Sequence, residues 1–169
     1  MEDEGVYDLL CELAEEAYIV ADLRGWHSGD ISCEQRIASI IEELGELIKA
    51  DRTEGSNTVE PKLAAVVLRC FDFIASQDGD FLFENGFEYS YRDRRSAIGS
   101  MDIPNLVLLV VRNIAFHHSY TLTKSLSTSR AIGAIAAWCA ANDIDLLYHI
   151  KDAIECGKEG QGVQVDDCR

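Results

Sequence analysis

QRIASIIEELGELIKADR, residues 35–52, is the stretch on which the reading of the fold turns. Its apolar residues Ile37, Ile40, Ile41, Leu44, Leu47 and Ile48 recur at the i, i+3, i+4 spacing of one helix face. Ser32 stands where an N-cap belongs, and Gln35 three residues on can close a capping box. The spacing therefore predicts a helix from Ser32 to about Arg52. Its polar side carries Glu42, Glu43 and Glu46. Residues three and four apart are neighbours on a helix surface, so three carboxylates crowd into about one turn, at a cost of some tenths of a kcal/mol. A divalent cation would turn that repulsion into coordination. Magnesium suits such a place, because it takes a few carboxylate oxygens and keeps water or phosphate as its other ligands. The plainer reading of the same spacing is a solvated acidic stripe, with Lys49 offering partial relief to Glu46.

Upstream, residues 5–24 place Val6, Leu9, Leu10, Leu13, Ala17, Ile19 and Val20 near helical spacing. Arg24 to Asp30 contains two glycines and reads as a loop. Downstream, Thr53 to Val59 is polar and reads as a second loop. A third helix is expected from Pro61 to about Ser76, since proline is at home in a first helical turn. Asp78 to Met101 is less regular and aromatic-rich. Pro104 opens a fourth helix to about Tyr120, Ser127 or Thr128 caps a fifth ending near Asn142, and Asp145 to Cys156 forms a sixth. No stretch alternates as a strand would. The expectation is an all-α bundle of five or six helices, one domain over residues 1–157 with a tail at 158–169.

One internal echo bears on the architecture. FIASQDGDFL at 73–82 resembles WCAANDIDLL at 138–147, an offset of 65 residues. Each copy ends a helix, places Asp-x-Asp in the turn, and starts the next apolar stretch. The second Asp can accept hydrogen bonds from the free N–H groups of a following helix. The echo suggests two similar helical halves on one core.

The formal net charge is −15 over 169 residues. Such a charge favours solubility and opposes non-specific binding to nucleic acid or anionic membrane. It also opposes phosphate ligands unless a cation bridges them. The six cysteines, at 11, 33, 70, 139, 156 and 168, form no CxxC pair. Several sit in apolar helical stretches as small hydrophobes, which points to a reducing, cytoplasmic setting. The acidic start at Met1 lacks the basic region of a signal peptide. No apolar run is long enough for a membrane span.

The residue context extends the reading of the acidic helix. Leu23-Arg-Gly-Trp26, the EELGE segment at 42–46, the helix end at Arg52 and LAAVVLRCFD at 63–72 together resemble the MazG-like nucleotide pyrophosphohydrolases of the all-α NTP pyrophosphatase superfamily. The resemblance covers residues 20–85 well and 105–157 loosely. It implies magnesium-dependent hydrolysis of a nucleoside triphosphate to the monophosphate and pyrophosphate, with manganese as the alternative ion. Glu42, Glu43 and Glu46 would be the catalytic carboxylates. Glu43, Glu46 and Asp72 would hold the metal, and Trp26, Arg52, Lys62 and Arg69 would bind the nucleotide. The Asp-x-Asp turns at 78–80 and 143–145 look like the family's Gly-Ile-Asp turn. The chain departs from the family at the second metal motif. Where relatives carry Glu-x-x-Asp, it has Lys62-Leu-Ala-Ala65. Asp72 lies two helical turns, about 10 Å, beyond position 65 and cannot replace the missing acid. Glu60 is the other candidate substitute.

Two rival readings follow. In one, the chain is a catalytically inactive relative that binds a nucleotide or a partner protein, with Lys62 paired to Glu43 or Glu46 in place of a metal. In the other, it is an interaction bundle. The helix Leu106 to Phe116 is apolar almost all round, so it must be buried in a core or a subunit interface, and a homodimer or homotetramer is expected. Weaker candidates are His117 and His118, which point about 100° apart and do not chelate, and the cluster Arg92, Arg94 and Arg95. With Tyr89 and Tyr91, that cluster could grip phosphate and stack on a base. Signatures of a Ser/His/Asp or Cys/His nucleophile, or of a Gly-rich phosphate loop, are absent.

Overall fold

In a computed structural model of the chain, residues 5–23, 31–53, 56–76, 84–115 and 124–159 are described. The stretch around residues 35–52 folds as a helix, α2 (Cys33–Thr53), and its start is the expected capping box. Ser32 N–H donates to Gln35 Oε1 at 2.8 Å, and Gln35 N–H donates to Ser32 Oγ at 3.3 Å. Before it comes α1 (Val6–Leu23). After it come α3 (Ser56–Ala75), α4 (Glu84–Tyr91), α5 (Arg95–Gly99), α6 (Ile103–Ala115), α7 (Lys124–Ala141) and α8 (Leu146–Glu159). Eight helices and no strand make up the described residues, so the all-α expectation stands, with more helices than five or six.

The extra helices and shifted starts have physical causes. The aromatic-rich region before Met101 holds α4 and α5, each too short for a periodicity to emerge. α3 begins five residues before Pro61, because Val59, Leu63, Val66, Val67 and Cys70 continue one buried face back through the polar stretch. Pro61 therefore lies beyond the first turn, where its missing N–H forfeits one intrahelical bond. Ser127 and Thr128 do not cap α7. They lie inside it and are buried, as is Ser129, whose hydroxyl donates to the Ser125 carbonyl at 2.8 Å. Pro104 does fall in a first turn, that of α6, which Asp102 caps by accepting from Asn105 N–H at 2.9 Å.

α3 and α7 are the axis of the bundle, and both are buried on nearly every side. α2 packs on α3, and α6 packs on α7. α4 follows α3 in the chain yet packs on α7, while α8 follows α7 yet packs on α3. α3 and α7 lie near the 65-residue offset of the echo. α1 closes the α3–α8 side and α5 the α7 side.

The echo's second copy behaves as read. α7 ends with Asp143 at φ +58, a left-handed position that Asp tolerates better than most residues. Ile144 N–H then reaches back to the Cys139 carbonyl at 2.9 Å, the Schellman pattern. Asp145 caps α8, accepting from Tyr148 N–H at 3.1 Å. The first copy's Asp78 and Asp80, like Trp26, His117 and His118, lie outside the described residues.

α4 and α7 pack backbone to backbone. A Cβ at Gly133 would stand 2.5 Å from the Phe87 carbonyl oxygen, and one at Gly86 would stand 2.8 Å from the Leu126 carbonyl. Glycine at both positions is what permits the approach. Cys70 and Cys139 are buried within the core, as small hydrophobes should be. No helix among the described residues is long and apolar enough to cross a membrane. On α6, Leu106, Val107, Val110 and Ile114 are buried, but Leu108 keeps 66% of its surface exposed.

Candidate functional site

The face between α2 and α3 carries the described residues on which the nucleotide reading rests. Its geometry begins with a residue to which the sequence reading assigned no role. Arg36, Ile40, Leu44 and Leu47 form the core-facing stripe of α2, and all four are buried. A charged residue on that stripe must have a partner, since burying an uncompensated charge costs several kcal/mol. The partner is Asp72 near the end of α3. Arg36 Nη1 donates to Asp72 Oδ2 at 2.5 Å, with the side chains 8% and 16% exposed.

Further along the same antiparallel pair, Arg69 Nε lies 3.5 Å from Glu43 Oε1, both groups half-buried. Glu46 is 3.6 Å from Lys49 on its own helix, an exposed pair. Glu42 points to solvent, as does Arg52 at the end of α2. Lys62 is half-buried on α3, and among the described residues it lies within ion-pair distance of neither Glu43 nor Glu46. The guanidiniums of Arg36 and Arg69, not the Lys62 amine, answer the acidic face.

Glu60, the other candidate for a missing ligand, turns elsewhere. Its carboxylate Oε2 sits 2.8 Å from His149 Nε2 and ties α3 to α8. Among the described residues, no three His, Cys, Asp or Glu side chains gather into a group that could hold a metal ion. Magnesium demands near-octahedral oxygen donors and gives up its waters reluctantly. Two carboxylates already held by arginines, on a face to which Lys62 and Ala65 add no acid, do not meet that demand.

A cavity of about 70 Å³ opens beside this pair. Ala17, Tyr18, Val20 and Ala21 of α1, Leu68 of α3 and Ile154 of α8 make its walls apolar, and Asp72 is the acid on its lining. The Arg36–Asp72 pair thus borders a small greasy space. The signal that could have found Arg36 was in the sequence, as its position at i−4 from Ile40 and i−8 from Leu44.

Comparison of the chain with protein-family models, with curated proteins and with solved structures yields no match.

Proposed function

We propose that the chain is a MazG-like helical module that binds a nucleotide or a partner protein without hydrolysing a nucleoside triphosphate. The observation that carries this reading is the double occupancy of the acidic face. Arg36 takes Asp72 and Arg69 takes Glu43, so two of the three carboxylates that would coordinate a cation instead tie α2 to α3, and the third, Glu46, pairs with Lys49 on its own helix. Lys62 and Ala65 support the same reading, since each stands where the resemblance calls for an acid. Among the described residues no clustered donors stand ready to hold an ion that would polarise a phosphorus centre or lower the pKa of an attacking water. Exposed Arg52 and half-buried Lys62 remain as cations for a phosphate.

The experiment is a pyrophosphate-release assay with magnesium, and then manganese, across canonical and modified nucleoside triphosphates. The reading predicts equal, background release from the wild type and from Glu43→Ala/Glu46→Ala. Calorimetry with the same nucleotides then separates a nucleotide binder from a protein-interaction module. Metal-dependent release that disappears in the double variant would restore the hydrolase reading and end this one.

A further inference from the structure

α1 keeps an open outer face. It packs mainly on α3 and α8, and its buried residues are Val6, Leu10, Leu13, Ala14, Val20 and Ala21. Large apolar side chains stand outside as well. Leu9, Ile19 and Leu23 keep 46%, 58% and 65% of their surface exposed. With exposed Glu12 and half-buried Glu16 they occupy positions 9, 12, 16, 19 and 23. These alternating steps of three and four, on one unbroken helix, are the seam of a heptad repeat.

The charge beside that seam has one sign. Asp8, Glu15 and Asp22 are all exposed and recur every seventh residue, about 10 Å apart along one edge. Each directly precedes a seam residue, the heptad position where charge selects the partner. No Lys, Arg or His on α1 answers them, and Lys158 of α8 reaches Glu16 alone of the seam acids. A second copy of the chain is the wrong occupant. Parallel pairing would set Glu12 on Glu12 and Glu16 on Glu16, and antiparallel pairing centred on the seam would again set Glu16 on Glu16. Like charges facing across an interface suppress a partner, and two chains of net charge −15 add to that. Nucleic acid and anionic membrane are repelled by the same acids.

We infer that the outer face of α1 docks a basic amphipathic helix of a partner protein. The partner's apolar stripe covers Leu9, Ile19 and Leu23, and its Lys or Arg side chains meet Glu12 and the line Asp8, Glu15 and Asp22. Burial of the three exposed side chains supplies the attraction, while the acids set the partner's charge and speed its approach. The contact is only two heptads long, which suits a reversible partner rather than a permanent subunit. The inference gives a chemistry to the partner in the reading above. It uses no residue of α2 or α3, so a peptide titration can fail without disturbing the pyrophosphate-release result, and the reverse.

The test is an NMR titration of the ¹⁵N-labelled full chain with a synthetic three-heptad peptide carrying Leu at the seam positions, Lys at the flanking positions and Gln elsewhere. A scrambled peptide of the same composition is the control. Saturable shifts centred on residues 8–23 are expected, with an apparent Kd at least tenfold weaker for the scrambled peptide. The same loss is expected in Ile19→Ser/Leu23→Ser and, separately, in Asp8→Asn/Glu15→Gln/Asp22→Asn. All five side chains are exposed, so circular dichroism of both variants should match the wild type and show that lost binding is not lost folding. No saturable binding, shifts centred away from α1, equal binding of the scrambled peptide, or a Kd unchanged in either variant would each overturn the inference. So would sedimentation showing a wild-type dimer that Ile19→Ser/Leu23→Ser dissociates, because a second copy would then be the occupant.

Discussion

Replacing Arg36 with Met, which keeps the length of the buried stem and removes its charge, takes from Asp72 the guanidinium that lies against it at the end of α3. The pair is 2.5 Å long with side chains only 8% and 16% exposed, so water cannot fully take the place of the guanidinium. Removing one partner of a fully buried pair costs about 3–5 kcal/mol, and the residual exposure of Asp72 argues for the lower end, about 3 kcal/mol. For a chain of this length that corresponds to a fall in Tm of roughly 6–12 °C. Asp72→Leu alone is expected to cost a similar amount, since it strands Arg36. The double variant Arg36→Met/Asp72→Leu is the informative one. Its new side chains would meet Leu68, Val20 and Ile154, which already line the space beside Asp72. A buried ion pair exchanged for apolar groups of like size is often neutral, so the double variant should return to within about 1 kcal/mol of wild type. Urea denaturation of all four proteins measures this cycle. Single variants that each cost under about 1 kcal/mol, or a double variant as unstable as the sum of the singles, would refute the claim that this pair is the partly buried tie between α2 and α3.

Further outcomes follow from the same structure. Gly133→Ala should cost about 1–3 kcal/mol through the clash with Phe87, whereas Gly45→Ala, exposed on α2 with nothing within 4 Å of its Cβ, should stabilise by up to about 1 kcal/mol; thermal melts decide both. Burial pushes the Cys70 thiol up to about 12, and it raises that of Cys139 further, with nearby Glu60 adding to it. In the unfolded chain these thiols ionise near pH 8.5, so stability is intact below that pH and falls as pH rises toward 12; native-state labelling should reach exposed Cys156 long before either buried thiol. Lys62→Glu/Ala65→Asp places two acids on a half-buried face opposite α2 and should create magnesium-dependent thermal stabilisation absent from the wild type, as a melt series with and without the ion will show.

Much of the fold was readable because helix signals are local. The capping box of Ser32 and Gln35, the apolar stripe of α2 and the Asp145 cap of α8 each depend on residues within four positions of one another. What escaped was set by distant partners. α3 extends back to Ser56 because Val59 finds a core, which no property of the Thr53–Val59 stretch announces. Ser127, Thr128 and Ser129 are cap-formers by type, yet the crowded centre of the bundle uses them as small side chains within α7. α4 owes its place to Gly86 and Gly133, where the absence of a Cβ lets the two backbones approach. At the candidate site, the positions of Glu42, Glu43 and Glu46 on one helix were legible, but their partners were not. Arg69 and Asp72 read as nucleotide and metal residues, and Arg36 as nothing in particular. Only the antiparallel packing of α2 on α3 brings these side chains into two ion pairs.

The acidic face between α2 and α3 is answered from within the chain, by Arg36 and Arg69. Isothermal titration of magnesium into the wild type, Glu43→Ala/Glu46→Ala and Asp72→Asn tests it most directly. The prediction is that the three proteins take up magnesium with the same weak, unsaturated heats. A saturable site in the wild type that either set of substitutions removes would contradict it.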